Sequence, residues 1–277
     1  MTIVALWYSD HFKALCCAAD TRISRGPGAT ATDYGPKVFQ VPVTLTLELT
    51  GDRGHETANR QSFGFAFAGS TLAAISTYSL ATACTQNLCG TQASPLSVSV
   101  EAIAGLFRDV AAHYIVDMAS RLGMRDSPQQ YFFDGLVFGY CPVAAEYKAF
   151  KISPSVMDGM VRIEVTELPL DIGTVHAIGS GREEFGRIYV GAANASGVAN
   201  PVSVLKEMLR SQTVEDVGGH IQFGMDDNSG FRILPIVIEE GDPRFWPTTF
   251  LGWDSMSASP INGYTIGYRA VGFGGRR

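Results

Sequence analysis

The sequence predicts an α+β protein, with antiparallel sheets carrying helices on their outer faces. Three observations point there. Strand-like and helix-like segments come in segregated runs (strands, two helices, strands, two helices, strands), where a doubly wound parallel sheet needs alternation. Apolar residues alternate at period two in several stretches, and one long stretch repeats at helical spacing. No internal repeat or low-complexity linker divides the 277 residues, which suffice for one large domain with a sizeable core. That domain is expected over residues 1–240, with 241–277 as a Gly-, Pro- and aromatic-rich extension packed on it.

The first elements are a pair of strands. "TIVALWYS" is rich in β-formers, "DHFK" turns the chain, and "ALCCAADTRIS" is an apolar run with a polar end. "GPGATATDYGP" reads as a loop. In "KVFQVPVTLTLEL", Val38, Val41 and Val43 are interleaved with other residues, and Pro42 marks an edge or bulge because proline has no N–H for a second neighbour. "TGDRGHETANRQS" reads as a polar loop and "FGFAFAG" as a strand. "STLAAISTYSLATACTQNL" follows as a buried helix with Ser70 at its N-cap. The helix in "SVSVEAIAGLFRDVAAHYIVDMASRLG" is the clearest element: Ile103, Leu106, Phe107, Val110, Tyr114, Met118 and Leu122 share one face, and Gly123 stops it. "YFFDGLVFGYC", "EYKAFKI", "MVRIEVTEL" and "VHAIGSG" are strands. "REEFGRIYVGAA" and "PVSVLKEMLRSQTVEDV" are helices, and "HIQFGMDDNSGFRILPIVIE" is a hairpin with Asp-Asn-Ser-Gly at its tip.

Composition narrows the function. A formal net charge of −6, with Lys and Arg scattered, lacks the basic stripe that nucleic-acid binding needs. No apolar run approaches the ~18 residues of a membrane span. No charged leader precedes "IVALW", so a cytoplasmic protein without a membrane partner is expected. Cys16, Cys17, Cys84, Cys89 and Cys141 form no framework of spacings and read as reduced thiols. His11, His55, His113, His176 and His220 supply no ligand spacing, so neither metal nor cofactor is expected. "DDNSG" lacks the later bidentate glutamate of a calcium loop, and "GFGG" lacks the strand–helix context of a phosphate loop.

Chemistry gathers at the start of the chain. Loss of Met1 is expected, because Thr2 is small, and leaves Thr2 with an α-amine and a hydroxyl on one residue. The amine, with a reference pKa of about 7.7–8.0, is partly neutral near physiological pH and can take the hydroxyl proton. The apolar run before Asp20, Thr21 and Arg22 returns beside the first strand, which brings Asp20 close to the chain start. Lys37 begins the next strand, where its charge would lower the pKa of both hydroxyl and amine, with Asp20 as the partner that keeps a buried lysine ionised. Taken singly, Asp20 is a turn residue and Lys37 a solvated strand start; with Thr2 they form a constellation.

On these pieces the chain resembles the proteasome β-subunit family of N-terminal nucleophile (Ntn) hydrolases. It is also similar to the peptidase of the bacterial two-component ATP-dependent protease. The matching segments are "TIVAL", "AADTRIS", "KVFQV", "FAFAGS" and "AIGSG", in the right order from Thr2 to about residue 235. The resemblance implies a four-layer αββα sandwich and a threonine-type peptidase. Thr2 is then the nucleophile, Asp20 and Lys37 its supporting pair, Gly69 an oxyanion-hole N–H and Ser180 a proton relay beside the Thr2 amine. Thr21 and Phe67 are expected to line the pocket next to Thr2, with the bulk of Phe67 restricting it. A homo-oligomeric ring, a peptide or unfolded-protein substrate and an ATP-dependent unfoldase partner are further implications. One departure stands out. Where active members carry Asp-x-x-Ser-Gly-Gly, this chain has Val214, Val217, Gly218 and Gly219, with Asp216 one residue from the serine's place. That departure leaves room for a catalytically silent ring subunit. A small-molecule amidohydrolase is the third reading, although such relatives usually begin with Cys or Ser.

Overall fold

The structure, a computed structural model, describes residues 2–26, 29–49, 54–122, 128–196, 199–238, 246–266 and 269–273. Strands β1 (Val4–Ser9) and β2 (Ala14–Asp20) form the N-terminal hairpin, in a register that sets Val4 opposite Ala19. β3 (Ile23–Gly26) and β4 (Ala29–Thr32) make a short ribbon, so the stretch read as a loop is partly extended and paired. β5 (Val38–Glu48) pairs with β6 (His55–Gly69) along its whole length. The polar residues after Gly54 are therefore strand, not loop: β6 runs on past the core, and its outer half keeps only the ladder. Pro42 sits where β5 has a single neighbour, because β7 (Leu88–Gly90) joins only alongside Leu45–Leu47, in parallel.

Helix α1 (Thr71–Thr85) lies between β6 and β7, and α2 (Val100–Leu122) follows β7. Ser70 takes the N-cap position of α1 with extended backbone, but no side-chain capping bond forms. The expectation of a buried α1 holds for one face only: Ala73, Ala74 and Ala81 are buried, while Leu72 and Leu80 are exposed. Gly123, the expected stop of α2, lies outside the described residues. β8 (Phe133–Cys141), β9 (Glu146–Met157) and β10 (Met160–Glu167) form an antiparallel meander. β11 (Val175–Ile178), α3 (Arg182–Ser196), α4 (Pro201–Ser211), β12 (Ile221–Asp226) and β13 (Phe231–Leu234) follow. α4 ends at Ser211 and not at Val217, because Gln212 turns left-handed (φ 49°). The β12–β13 hairpin has the expected tip over Asp227–Gly230.

Two larger sheets result. One has the order β11-β1-β2-β12-β13, and the other β10-β9-β8-β6-β5-β7. Three apolar cores explain how they are covered. Val4, Leu6, Leu15 and Cys17 of the first sheet meet Val38, Ala66, Leu136 and Phe138 of the second. Strand alternation sends Ile3, Ala5, Cys16 and Ala18 the other way, into a core with Phe185 of α3 and Leu205 and Met208 of α4. Phe63, Phe65 and Phe67 likewise face Ala74 and Ala81 of α1 and Phe107 and Ile115 of α2. At roughly 1.5–3 kcal/mol for each fully buried large side chain, these interiors supply the driving force that fixes both sheets. No helix among the described residues is long and apolar enough to span a membrane.

The last segment is more ordered than its composition implied. β14 (Ile236–Val237), β15 (Thr248–Phe250) and β16 (Trp253–Asp254) form a three-stranded sheet. Val271 bridges to Ile236, and the ring of Phe273 packs edge-on against Phe223 at 5.0 Å. The β15–β16 turn at Leu251–Gly252 rests against Thr21, where a side chain on Gly252 would begin 3.0 Å from the Thr21 methyl.

Candidate active site

The hairpin register decides which groups meet at the chain start. Asp20 is the last residue of β2 and its N–H donates to the Ile3 carbonyl, so its carboxylate lies beside Thr2. Lys37, one residue before β5, arrives from the other sheet. Thr2, Asp20 and Lys37 are all buried, with relative exposures of 2%, 1% and 2%. The Lys37 ammonium donates to Thr2 Oγ1 and, at 2.7 Å, to Asp20 Oδ1; Thr2 Oγ1 donates to the same carboxylate oxygen. Three chemistry-bearing side chains therefore share one buried contact point.

Asp20 is held from every side. Besides these two, its Oδ1 accepts the Ile3 N–H at 3.0 Å. Its Oδ2 accepts the N–H groups of Arg22 at 3.2 Å and Gly218 at 3.1 Å. Five donors converge on one carboxylate and fix its plane. Burial pulls the Lys37 ammonium below the usual lysine range, against the opposing pull of Asp20. A lysine so placed stabilises negative charge at the Thr2 oxygen and is easier to deprotonate than an exposed one.

Gly69 ends β6 with φ 118°, just ahead of α1, in a conformation that an L side chain rarely adopts. A side chain there would begin 2.6 Å from the Phe132 carbonyl oxygen. Ser180 lies in the turn from β11 to α3. Its neighbours approach the Thr2 backbone: Gly181 N–H donates to the Thr2 carbonyl at 3.3 Å, and Gly179 (φ 102°) packs so closely that a methyl group would overlap that carbonyl. We expect Gly179→Ala to cost roughly 2–3 kcal/mol or more, because it combines backbone strain with overlap; urea unfolding checks this. Ser180 itself is exposed and lines, with Ala68, Gly69, Asp134, Arg182 and Glu183, a cleft of about 380 Å³.

Thr21 and Phe67 are placed differently from open pocket walls. Thr21 is fully buried: its hydroxyl donates to the Asp33 carbonyl at 2.5 Å and accepts the His220 N–H at 2.7 Å, and Gly252 covers its methyl. The ring of Phe67 is 1% exposed, stacked 6.1 Å from Phe39 in the core beneath α1. Its bulk fills space there, and it offers no open surface.

At the departure from the family pattern, Val217 is buried in the α3–α4 core and supplies no hydroxyl. Gly218 keeps a polar role through its N–H to Asp20 and its carbonyl, which accepts the Arg22 N–H at 3.0 Å. Arg22 pairs with Asp33 (2.7 Å) and donates to the Glu215 carbonyl, bracing this turn against β2. Asp216 acts on Arg22 through its charge. Sequence reading missed Gln222, whose buried amide bonds to the backbones of Asp20, Gly35, Lys37 and Val38. No signal marked it, since a glutamine in a strand ordinarily faces water. Cys16 and Cys17, on β2 behind Asp20, are fully buried. Burial pushes the Cys16 thiol up to about 12 and Cys17 well above its ordinary value. Among the described residues, no group of three His, Cys, Asp or Glu could hold a metal ion.

No family model matches the sequence, and no curated protein matches it. Solved structures of Anbu are similar. The Gly-1 mutant from Hyphomicrobium sp. strain MC1 has 15% identity and a TM-score of 0.49, over 84% of this chain and 85% of that one. Anbu from the same strain has 16% identity and a TM-score of 0.49, over 84% and 86%. Anbu, the ancestral beta-subunit, from Yersinia bercovieri has 16% identity and a TM-score of 0.47, over 81% of each chain.

Proposed function

We propose that this chain is a threonine-type peptidase of the proteasome-like Ntn hydrolase class, and that its three cores are the interiors of a four-layer αββα sandwich. One observation carries the functional reading: the Thr2 hydroxyl is buried between a lysine ammonium and an aspartate that contact each other. A threonine with only a packing role has no use for a desolvated ion pair at its oxygen, since burying two charges is expensive without compensation.

In this reading Met1 is removed and the Thr2 amine accepts the hydroxyl proton as the oxygen attacks a peptide carbonyl. Lys37 stabilises the developing alkoxide, and Asp20 holds Lys37 in place. The Gly69 N–H donates to the oxyanion, a contribution typically worth about 3–4 kcal/mol of barrier. The amine returns its proton to the leaving amine, an ester to Thr2 Oγ1 remains, and water hydrolyses it with the same amine as base. Ser180 relays protons at the amine. Peptide substrate, ring assembly and unfoldase partner join this reading through resemblance alone.

Intact-mass spectrometry before and after treatment with a peptide epoxyketone, which needs hydroxyl and amine together, tests it. The expected result is loss of the initiator methionine and one adduct on Thr2. Retained Met1 overturns the mechanism. A second reading, a silent ring subunit, has Val217 behind it, and trimmed protein that takes no adduct supports that reading instead.

A further inference from the structure

We infer that Gln222 is a positioning residue that sets the Lys37–Asp20 pair against Thr2, an inference that rests on the reading above. Gln222 is 1% exposed, in β12, next to the residue paired with Asp20. Its amide uses its full capacity on backbone. Nε2 donates to the carbonyls of Asp20 at 2.9 Å and Gly35 at 3.0 Å, and Oε1 accepts the N–H groups of Lys37 at 2.9 Å and Val38 at 3.1 Å. A primary amide has two donors and an oxygen with two lone pairs, and both donors meet carbonyls while both lone pairs meet N–H groups.

The consequence is geometric. Asp20 belongs to one sheet, and Lys37 leads into a strand of the other. Gln222 bonds to the main chain of both, so one side chain sets the spacing between the two backbones that carry the pair. Without it, two buried carbonyls and two buried N–H groups lose partners together, and the segment at residues 35–38 must shift to recover them. Lys37 then moves relative to the groups that set its ionisation, namely Asp20, the Thr2 hydroxyl, and the charges of Arg22 and Asp33.

The test uses full-length protein labelled with ¹³C-lysine, because the sequence has only five lysines: Lys13, Lys37, Lys148, Lys151 and Lys206. In Gln222→Met, which keeps length and removes all four bonds, the Lys37 titration is expected to move by about half a pH unit or more while the other four lysines hold theirs. Epoxyketone labelling of Thr2 is expected to slow about tenfold or more in the folded variant. An unchanged Lys37, or all five lysines moving together, overturns the inference. If Gln222→Met does not fold, Gln222→Asn is read by the same criteria, since it adds no charge but is one methylene too short to reach all four partners. The two readings fail separately. Wild-type protein that labels at Thr2, with Lys37 indifferent to Gln222, removes only the positioning role. Wild-type protein that never labels, with Lys37 responsive, removes the hydrolase and leaves Gln222 as the organiser of the pair.

Discussion

Thr2→Ala is expected to eliminate the epoxyketone adduct and lower peptide hydrolysis by at least about a thousandfold, at a stability cost of about 1–3 kcal/mol. Removing the oxygen removes the atom proposed to carry the acyl ester, and losses of a nucleophile are of this order or larger. The stability cost stays moderate because the Lys37–Asp20 ion pair, at 2.7 Å, is kept, while each partner loses one hydrogen bond to the hydroxyl. Thr2→Ser is the informative partner, since it keeps oxygen and amine and is expected to retain the adduct. Initial rates on a fluorogenic peptide, together with intact mass, check both variants. Hydrolysis that survives in Thr2→Ala places the nucleophile elsewhere.

Asp20→Asn is expected to be the most destabilising of the conservative changes at the site, by about 3–5 kcal/mol, because it leaves a buried ammonium without its counter-charge. The amide is also a poor replacement for a carboxylate surrounded by five donors, since one of its two ends must turn an N–H toward them. Lys37 then keeps the burial that lowers its pKa and loses both contributions of Asp20 that raise it. Its native pKa falls further below the unfolded value of about 10.4, so between the two the unfolded chain binds more protons and stability rises with pH. Chemical denaturation of Asp20→Asn across that window is expected to show this upward slope. Asp20→Asn combined with Lys37→Met is expected to recover most of the loss, because the stranded charge is gone.

Much of this was legible in the sequence, for physical reasons that differ by residue. The Thr2–Asp20 proximity follows from two apolar runs joined by a short polar turn, which can only be a hairpin, and the register places Asp20 opposite Ile3. Lys37 alone reads as a solvated strand start, and it was readable only through Asp20, the carboxylate that a buried lysine near Thr2 needs. Helix α2 announced itself through its period. What the sequence hid depends on contacts between distant segments. Gln222 looks like any strand glutamine until the second sheet closes over it. The enclosure of Thr21 needs Gly252, 231 positions further along, and the packing of Phe67 needs the face of β6 to be assigned between two cores. The outer half of β6 and the strands after residue 246 were missed because their residues are polar or aperiodic, and only the ladder to a partner makes them extended.

The turn resting on Thr21 gives the molecule a built-in optical reporter. Of the three tryptophans, Trp253 directly follows Gly252 and is half exposed, Trp246 is partly exposed, and Trp7 is buried in the core. Anything that lifts Gly252 off Thr21 changes the solvent around that indole, so with Trp246→Phe removing the third tryptophan the movement of this turn is expected to register in the fluorescence emission.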